Sequence, residues 1–190
     1  MDALITDLLT LARQGESIGE TERVDLAALA AAAWEHVDAP DATLSVETEA
    51  TIEADRDRLQ QLLENLLRNS VEHGDERVRI AVGDLPDGAG FSVSDDGPGI
   101  PESERERVFE SGYTTREDGT GFGLAIVAEI VDAHGWEIAA TESETGGARF
   151  EIHGVTTDAG DTADAGDAGD TADAGDAGDT TDAEDTTDAD

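Results

Sequence analysis

The sequence predicts an α+β fold: a two-layer sandwich of a mixed, largely antiparallel sheet with helices on one face. Three observations predict it. Apolar residues recur at helical spacing in three separated stretches, 26–37, 59–67 and 124–131. Short alternating runs bounded by turn residues lie between and after them, at 43–54, 77–94 and 136–153. Strands and helices therefore interleave, and each helical stripe is one-sided enough to need a sheet to cover it.

The elements follow in chain order. Met1, Leu4, Leu8 and Leu11 have the 3-4-3 spacing of a coiled-coil seam. Residues 1–13 are too few to hold a helix alone, since isolated helices below about 12–15 residues are marginal in water, so this segment needs a partner. Gly15 and Gly19 break it. Asp25 is an N-cap for a helix whose stripe is Leu26, Leu29, Ala30, Ala33, Trp34 and Val37, and Pro40 ends it. Leu44 and Val46, then Ile52, mark two short strands. Asp55 caps the next helix, with Leu59, Leu62, Leu63, Leu66 and Leu67 on its core face. Residues 77–82 and 90–94 form a strand pair joined at Asp87-Gly88. Residues 97–120 lack periodicity and read as a long mobile loop, a length usually functional or disordered in a compact domain. A helix over 121–134 places Leu124, Val127 and Val131 on one face and stops at Gly135. A last hairpin covers 136–141 and 147–153.

From Thr156 the chain changes character. Asp recurs at every third position from Asp158 to Asp188, and the stretch 162–170 repeats as 171–179. This tail has no aromatic and no basic residue, so it cannot bury enough apolar area to offset the entropy of ordering. It lacks the closing bidentate Glu and loop spacing of known Ca²⁺ motifs. The expected organisation is a helix remnant at 1–14, a linker at 15–24, a folded domain at 25–154 and a disordered Asp-rich tail at 155–190.

Composition excludes several classes. There is no Cys, hence no disulfide framework and no thiolate metal site. No apolar run approaches the roughly 20 residues of a membrane span, and residues 1–4 lack the basic start of a signal peptide. A cytoplasmic location is expected, without membrane contact by this chain. The chain carries 47 acidic and 11 basic residues, a net charge of −36, and every basic residue is Arg. Such a surface repels nucleic acid. An acid-rich, Lys-free chain resembles proteins adapted to molar salt, where a Debye length of about 3 Å removes self-repulsion.

Three motifs carry chemistry. Asn65 and Asn69, at i and i+4, share a ridge beside the Leu stripe, and a carboxamide oxygen is a hard, neutral ligand suited to hydrated Mg²⁺. Asp95 ends an apolar strand, where its carboxylate can accept from an exocyclic amine; Gly97 and Gly99 then allow close backbone approach to a ring. Gly119, Gly121 and Gly123 open a helix, with Thr120 among them, and free N–H groups at a helix start form an anion site. With no Lys, positive charge against phosphates falls to Arg116 or Arg68.

This ordered set resembles the ATP-binding catalytic domain of sensor histidine kinases, within the gyrase/histidine-kinase ATPase superfamily, over residues 1–154. The resemblance implies a Bergerat-type ATP-binding fold with ATP and Mg²⁺ as ligands. It makes Asn69 the Mg²⁺ ligand and Asp95 the residue that selects adenine. The 119–124 segment, ending in Leu124, matches the glycine box that cradles the triphosphate. Phe109, Thr114 and Arg116 match the ATP lid. Asn65 stands where gyrase-type ATPases look to carry a water-activating Glu. Asn cannot be that base, which favours phosphoryl transfer to a protein; neighbouring Glu64 is a further candidate base. Departures are Glu72, where Lys or Arg is frequent, His73 for an aromatic, and Ala148 for a Thr near the adenine.

None of His36, His73, His134 or His153 starts the His-Glu pattern of a phosphoacceptor helix, while residues 7–13 resemble the end of the second helix of a dimerisation hairpin. The resemblance thus implies a histidine kinase whose acceptor His is supplied in trans or by a missing N-terminal region, with a response regulator downstream. Two alternatives stay open: a stand-alone nucleotide-binding regulatory module without kinase activity, and a serine kinase of the anti-sigma type.

Overall fold

Asp25 and Asp55 set the start of the two N-terminal helices by the same device. In a computed structural model that describes residues 18–75, 77–114 and 121–158, the Asp25 carboxylate accepts the Ala28 N–H at 2.8 Å and opens helix α1, Leu26–Glu35. The Asp55 carboxylate accepts the N–H groups of Asp57 and Arg58, both at 3.1 Å, and opens helix α2, Arg56–His73. Each satisfies donors that the first helical turn leaves without partners. Leu59, Leu62, Leu63, Leu66 and Leu67 are fully buried along α2, as the stripe predicts. Helix α3, Gly123–Ala133, packs on α2 through Ile126, Val127, Ile130 and Val131. Gly135, with φ of 72°, ends it in the left-handed conformation expected of a C′ glycine.

The helices cover a five-stranded sheet in the order β2-β4-β5-β7-β6: Thr43–Glu47 (β2), Arg79–Asp84 (β4), Gly90–Asp95 (β5), Glu137–Glu142 (β6) and Ala148–His153 (β7). β2 runs parallel to β4, and the other pairs are antiparallel. Val82 faces Val93, and Val93 faces Phe150, so alternate residues form one apolar face toward the helices. The expected mixed sheet with helices is the observed architecture.

Two short strands went unread. β1, Glu22–Asp25, pairs antiparallel with β3, Thr51–Ala54; β8, Thr157–Asp158, pairs with the other edge of β3. This second, three-stranded sheet extends the ordered unit beyond the expected 25–154 at both ends. Residues expected to form the helix remnant (1–14) and nearly all of the Asp-rich tail lie outside the described residues. The stretch expected as an irregular loop holds two 3₁₀ turns, Glu102–Glu104 and Arg107–Phe109.

His134 joins the far ends of α2 and α3. Its Nε2 accepts the Asp55 N–H at 3.1 Å, its Nδ1–H donates to Ile130 O at 2.8 Å, and its ring stacks on Trp136 at 4.2 Å. The two backbone partners fix a neutral tautomer with the proton on Nδ1. Replacing His134 by Ala removes the stack and leaves the Asp55 N–H without its acceptor. We expect about 1–3 kcal/mol lower stability in chemical denaturation, without loss of the folded signal.

Acid titration reports two further ties. Burial opposes ionisation of Asp55, but the N–H groups of Arg58, Gly19 and Asp57 outweigh it and hold its pKa below the ordinary 3.8. Asp96 is held below the same value by the Arg79 N–H at 2.7 Å and by the Arg79 guanidinium, also at 2.7 Å. Depressed carboxylates contribute stability that is whole above the unfolded pKa and is lost as pH falls through the folded pKa. The window therefore lies below 3.8. The double substitution Asp55→Asn, Asp96→Asn is expected to flatten the fall of the denaturation midpoint there, measured against the wild-type chain.

Candidate nucleotide-binding site

One end of the candidate site is built on Asp95, the last residue of β5. Its side chain is buried, with 7% exposure. Oδ1 accepts two backbone N–H groups, from Gly97 at 3.0 Å and from Ala148 at 3.0 Å. Among the described residues no hydrogen bond reaches Oδ2. A carboxylate pinned through one oxygen offers the other as an acceptor in a fixed place, the arrangement that reads an amino group. A Cβ at Gly97 would stand 3.1 Å from Asp95 Oδ1 and 3.3 Å from Gly74 Cα, so the backbone passes close over this corner. Gly99 has φ of 74°, and a Cβ there would meet Gly146 O at 2.7 Å. Gly99 is required by the path of the chain, and Gly97 keeps a tight corner free of a side chain. Asp96 points elsewhere and ties β5 to β4 through Arg79.

The other end of the candidate site lies where α2 meets the start of α3. Asn65 is buried; its Nδ2–H donates to Gln61 O at 2.9 Å. That bond turns Oδ1 toward α3, where it lies 3.6 Å from the position a Gly123 Cβ would take. Phe122 caps α3 without a side-chain hydrogen bond, and helix starts of this kind can bind anions through their first-turn N–H groups. Asn69 sits one turn further along α2, half-buried, and among the described residues no hydrogen bond is drawn to it. Arg68 is half-buried beside it.

The segment between these ends is anchored at its base. Phe109 meets Phe150 edge to face at 6.3 Å, so this residue pins the segment to the core. Arg105 donates to Ile100 O at 3.1 Å and pairs with Glu142 at 3.4 Å. The Arg107 guanidinium lies 5.4 Å above the Tyr113 ring, and a hydrogen bond to Glu104 raises the Tyr113 pKa. Gly121, with φ of 68°, accepts the Gly112 N–H at 3.0 Å and closes the base of the segment. Thr114 is exposed near that closure. Arg116, Gly119 and Thr120 lie outside the described residues.

Glu64 is not brought to this site. Its carboxylate is held by His36 Nδ1 and Gln60 Nε2, each at 2.9 Å. It therefore faces α1 while Asn65 faces α3, a consequence of the 100° step between helix neighbours. A cavity of about 330 Å³ near the C-terminal end of α2 is lined by Asp38, Asp41, Val71, Glu72 and Asp75 among others. Four carboxylates make it hostile to a polyphosphate. The sequence reading also missed Ser143, Thr145 and Gly147, which lie against Asp95. The available signal was a pair of hydroxyl residues just before a Gly-Gly turn.

Comparison with known proteins gives the arrangement a family. The model of the histidine kinase-, DNA gyrase B- and HSP90-like ATPases matches residues 54–155. The chain is 42% identical over 103 residues to the sensor histidine kinase ZraS of Escherichia coli O157:H7, covering 53% of this chain and 22% of that one. It is 37% identical over 131 residues to the signal transduction histidine-protein kinase AfsQ2 of Streptomyces coelicolor, covering 66% and 24% respectively. The chain thus spans less than a quarter of the length of these curated relatives. Among solved structures, the catalytic domain of histidine kinase ThkA superposes with a TM-score of 0.61 at 30% identity, over 70% of this chain and 94% of that one. With that domain matched over nearly its whole length, the chain belongs to the histidine kinase-, DNA gyrase B- and HSP90-like ATPase family and carries an ATP-binding catalytic domain of the histidine-kinase type.

Proposed function

We propose that this chain binds Mg-ATP and passes the γ-phosphoryl group to a histidine outside these 190 residues, as part of a two-component phosphorelay. The observation that carries the reading is the Asp95 carboxylate, pinned through Oδ1 by two backbone N–H groups while no hydrogen bond among the described residues reaches Oδ2. Asp95 Oδ2 accepts the adenine amino group. Gly97 and Gly99 let the backbone approach the ring. The first-turn N–H groups of α3, with Gly119, Thr120, Gly121, Gly123 and Leu124, take the phosphates; Arg116 supplies positive charge, and Thr114 belongs to the same nucleotide-binding segment. Phe109 holds the base of that segment.

Mg²⁺ fits the donors present. Among the described residues no group of three or more His, Cys, Asp or Glu side chains is placed to hold a metal. A half-buried carboxamide at Asn69 suits an ion that keeps waters and is shared with phosphate oxygens. When bound, the ion neutralises phosphate charge. Asn65 supplies a neutral oxygen beside α3 and no base, so water is not activated there. Catalysis is then positioning and charge stabilisation, as in other phosphoryl transfers.

The same reading assigns the chain to the cytoplasm and to a salt-adapted source. It makes residues 1–14 the end of a dimerisation hairpin, the stretch from 15 up to β1 a linker, and the chain after β8 an acidic, solvating tail. A response regulator is the downstream partner. The net charge of −36 predicts a salt response: the melting temperature is expected to rise between 0.1 M and molar KCl, as the Debye length shrinks from about 10 to about 3 Å. An unchanged or falling value would remove the salt-adaptation claim. Titration of the chain with Mg-ATP in molar KCl tests the binding reading. Saturable one-site binding is expected, and no heat and no competition with a fluorescent ATP analogue would refute it.

A further inference from the structure

We propose that Ser143, with Thr145, is a positioning residue that sets how the site reads the nucleobase, acting through Asp95. This rests on the reading of Asp95 as the base acceptor. Ser143 is buried, at 8% exposure; its hydroxyl donates to the Asp95 backbone oxygen at 2.7 Å, while its oxygen accepts the Gly147 N–H at 2.9 Å. The Thr145 hydroxyl reaches the same Asp95 oxygen at 3.3 Å and lies 3.0 Å from the Ser143 hydroxyl. The Ser143 N–H donates to Gly147 O at 2.9 Å, and the Gly146 N–H to Ser143 O at 3.0 Å. The turn from β6 to β7 is therefore closed on itself and fastened to Asp95 by side chains.

That fastening controls where the carboxylate points. The Ala148 N–H, which holds Asp95 Oδ1, is the next backbone donor after Gly147. A Cβ on Gly147 would collide with the Asp95 carbonyl and stand 2.7 Å from its Oδ1. The turn also lies under the ring-approach segment, since a Gly99 Cβ would meet Gly146 O and Gly147 O. Register pairing alone places Asp95 opposite Ile80 in β4, and the β5–β7 pairs end at Ser94 and Arg149. The Ser143 and Thr145 bonds thus supply the fixation on the β7 side, where ladder pairing has stopped. A carboxylate whose orientation depends on a buried hydroxyl loses base selectivity, and not phosphate binding, when that hydroxyl is removed.

The test uses the full chain in molar KCl, titrated with Mg-ATP and with Mg-ITP, whose hypoxanthine lacks the exocyclic amino group. The wild type is expected to prefer ATP by about tenfold or more. Ser143→Ala is expected to weaken ATP binding about five- to tenfold and ITP binding less than about twofold, so the ratio collapses. Thr145→Val, at an exposed position, is expected to move the ratio in the same direction by about twofold, from its longer bond. Equal losses for ATP and ITP in Ser143→Ala, or an unmoved ratio in both variants, overturn the proposal. Should Ser143→Ala not fold, the Thr145→Val ratio alone decides it. A wild type that binds ATP and ITP alike instead refutes the Asp95 reading beneath it.

Discussion

Asp95→Asn is expected to abolish nucleotide binding while leaving the domain folded. The substitution keeps one oxygen, and the N–H groups of Gly97 and Ala148, each at 3.0 Å, require it at the Oδ1 position. The new amide nitrogen must then occupy the Oδ2 position. A donor replaces an acceptor there, opposite the amino group of adenine. One charge-assisted bond is lost and two donors are forced together, a change of about 3 kcal/mol or more, or at least about a hundredfold in affinity. The Ser143 and Thr145 bonds to the backbone oxygen are untouched, so the melting curve should remain close to that of the parent. Calorimetry in molar KCl, beside a melting curve, checks both halves. Equal affinities would remove Asp95 from the site.

Asn69→Ala is expected to uncouple ATP binding from Mg²⁺. Asn69 is half-buried, and no described hydrogen bond is drawn to it; its removal costs the fold little, because surface substitutions away from such features change stability by about 0.5 kcal/mol or less. In the parent chain, chelation by EDTA should weaken ATP binding. In the variant, affinities with and without EDTA should coincide, near the parent's EDTA value. Phosphoryl transfer should fall by about a hundredfold or more, equivalent to about 2.7 kcal/mol of transition-state stabilisation. An EDTA response equal to the parent's would place the metal elsewhere.

Much of this protein is written in local signals. The caps Asp25 and Asp55 and the stripe Leu59 to Leu67 fix α1 and α2 by spacing alone. Asp95 and the glycines around it stand at a strand end and a helix start, where chain geometry confines them. What escaped depends on partners distant in sequence. β1 and β8 are short and charged, with no alternation to count, and exist because both edges of β3 are open to them. The parallel pairing of β2 with β4 is set by the crossover through α2, which no strand pattern reveals. Glu64 drew attention as a neighbour of Asn65, yet helical geometry turns it to His36. Ser143 bonds Asp95 across 48 residues, and His134 bonds Asp55 across 79. Neither contact is specified by the residues next to either partner.

Transfer of the phosphoryl group to histidine can be measured directly. The chain is incubated in molar KCl with γ-labelled Mg-ATP and a dimeric helical hairpin carrying a His-Glu acceptor, beside the Asp95→Asn variant. Label on the hairpin that survives alkali and is lost in acid, and that is absent with the variant, is the predicted result. Acid-stable label, or none on the hairpin while the chain still binds Mg-ATP, would contradict the account.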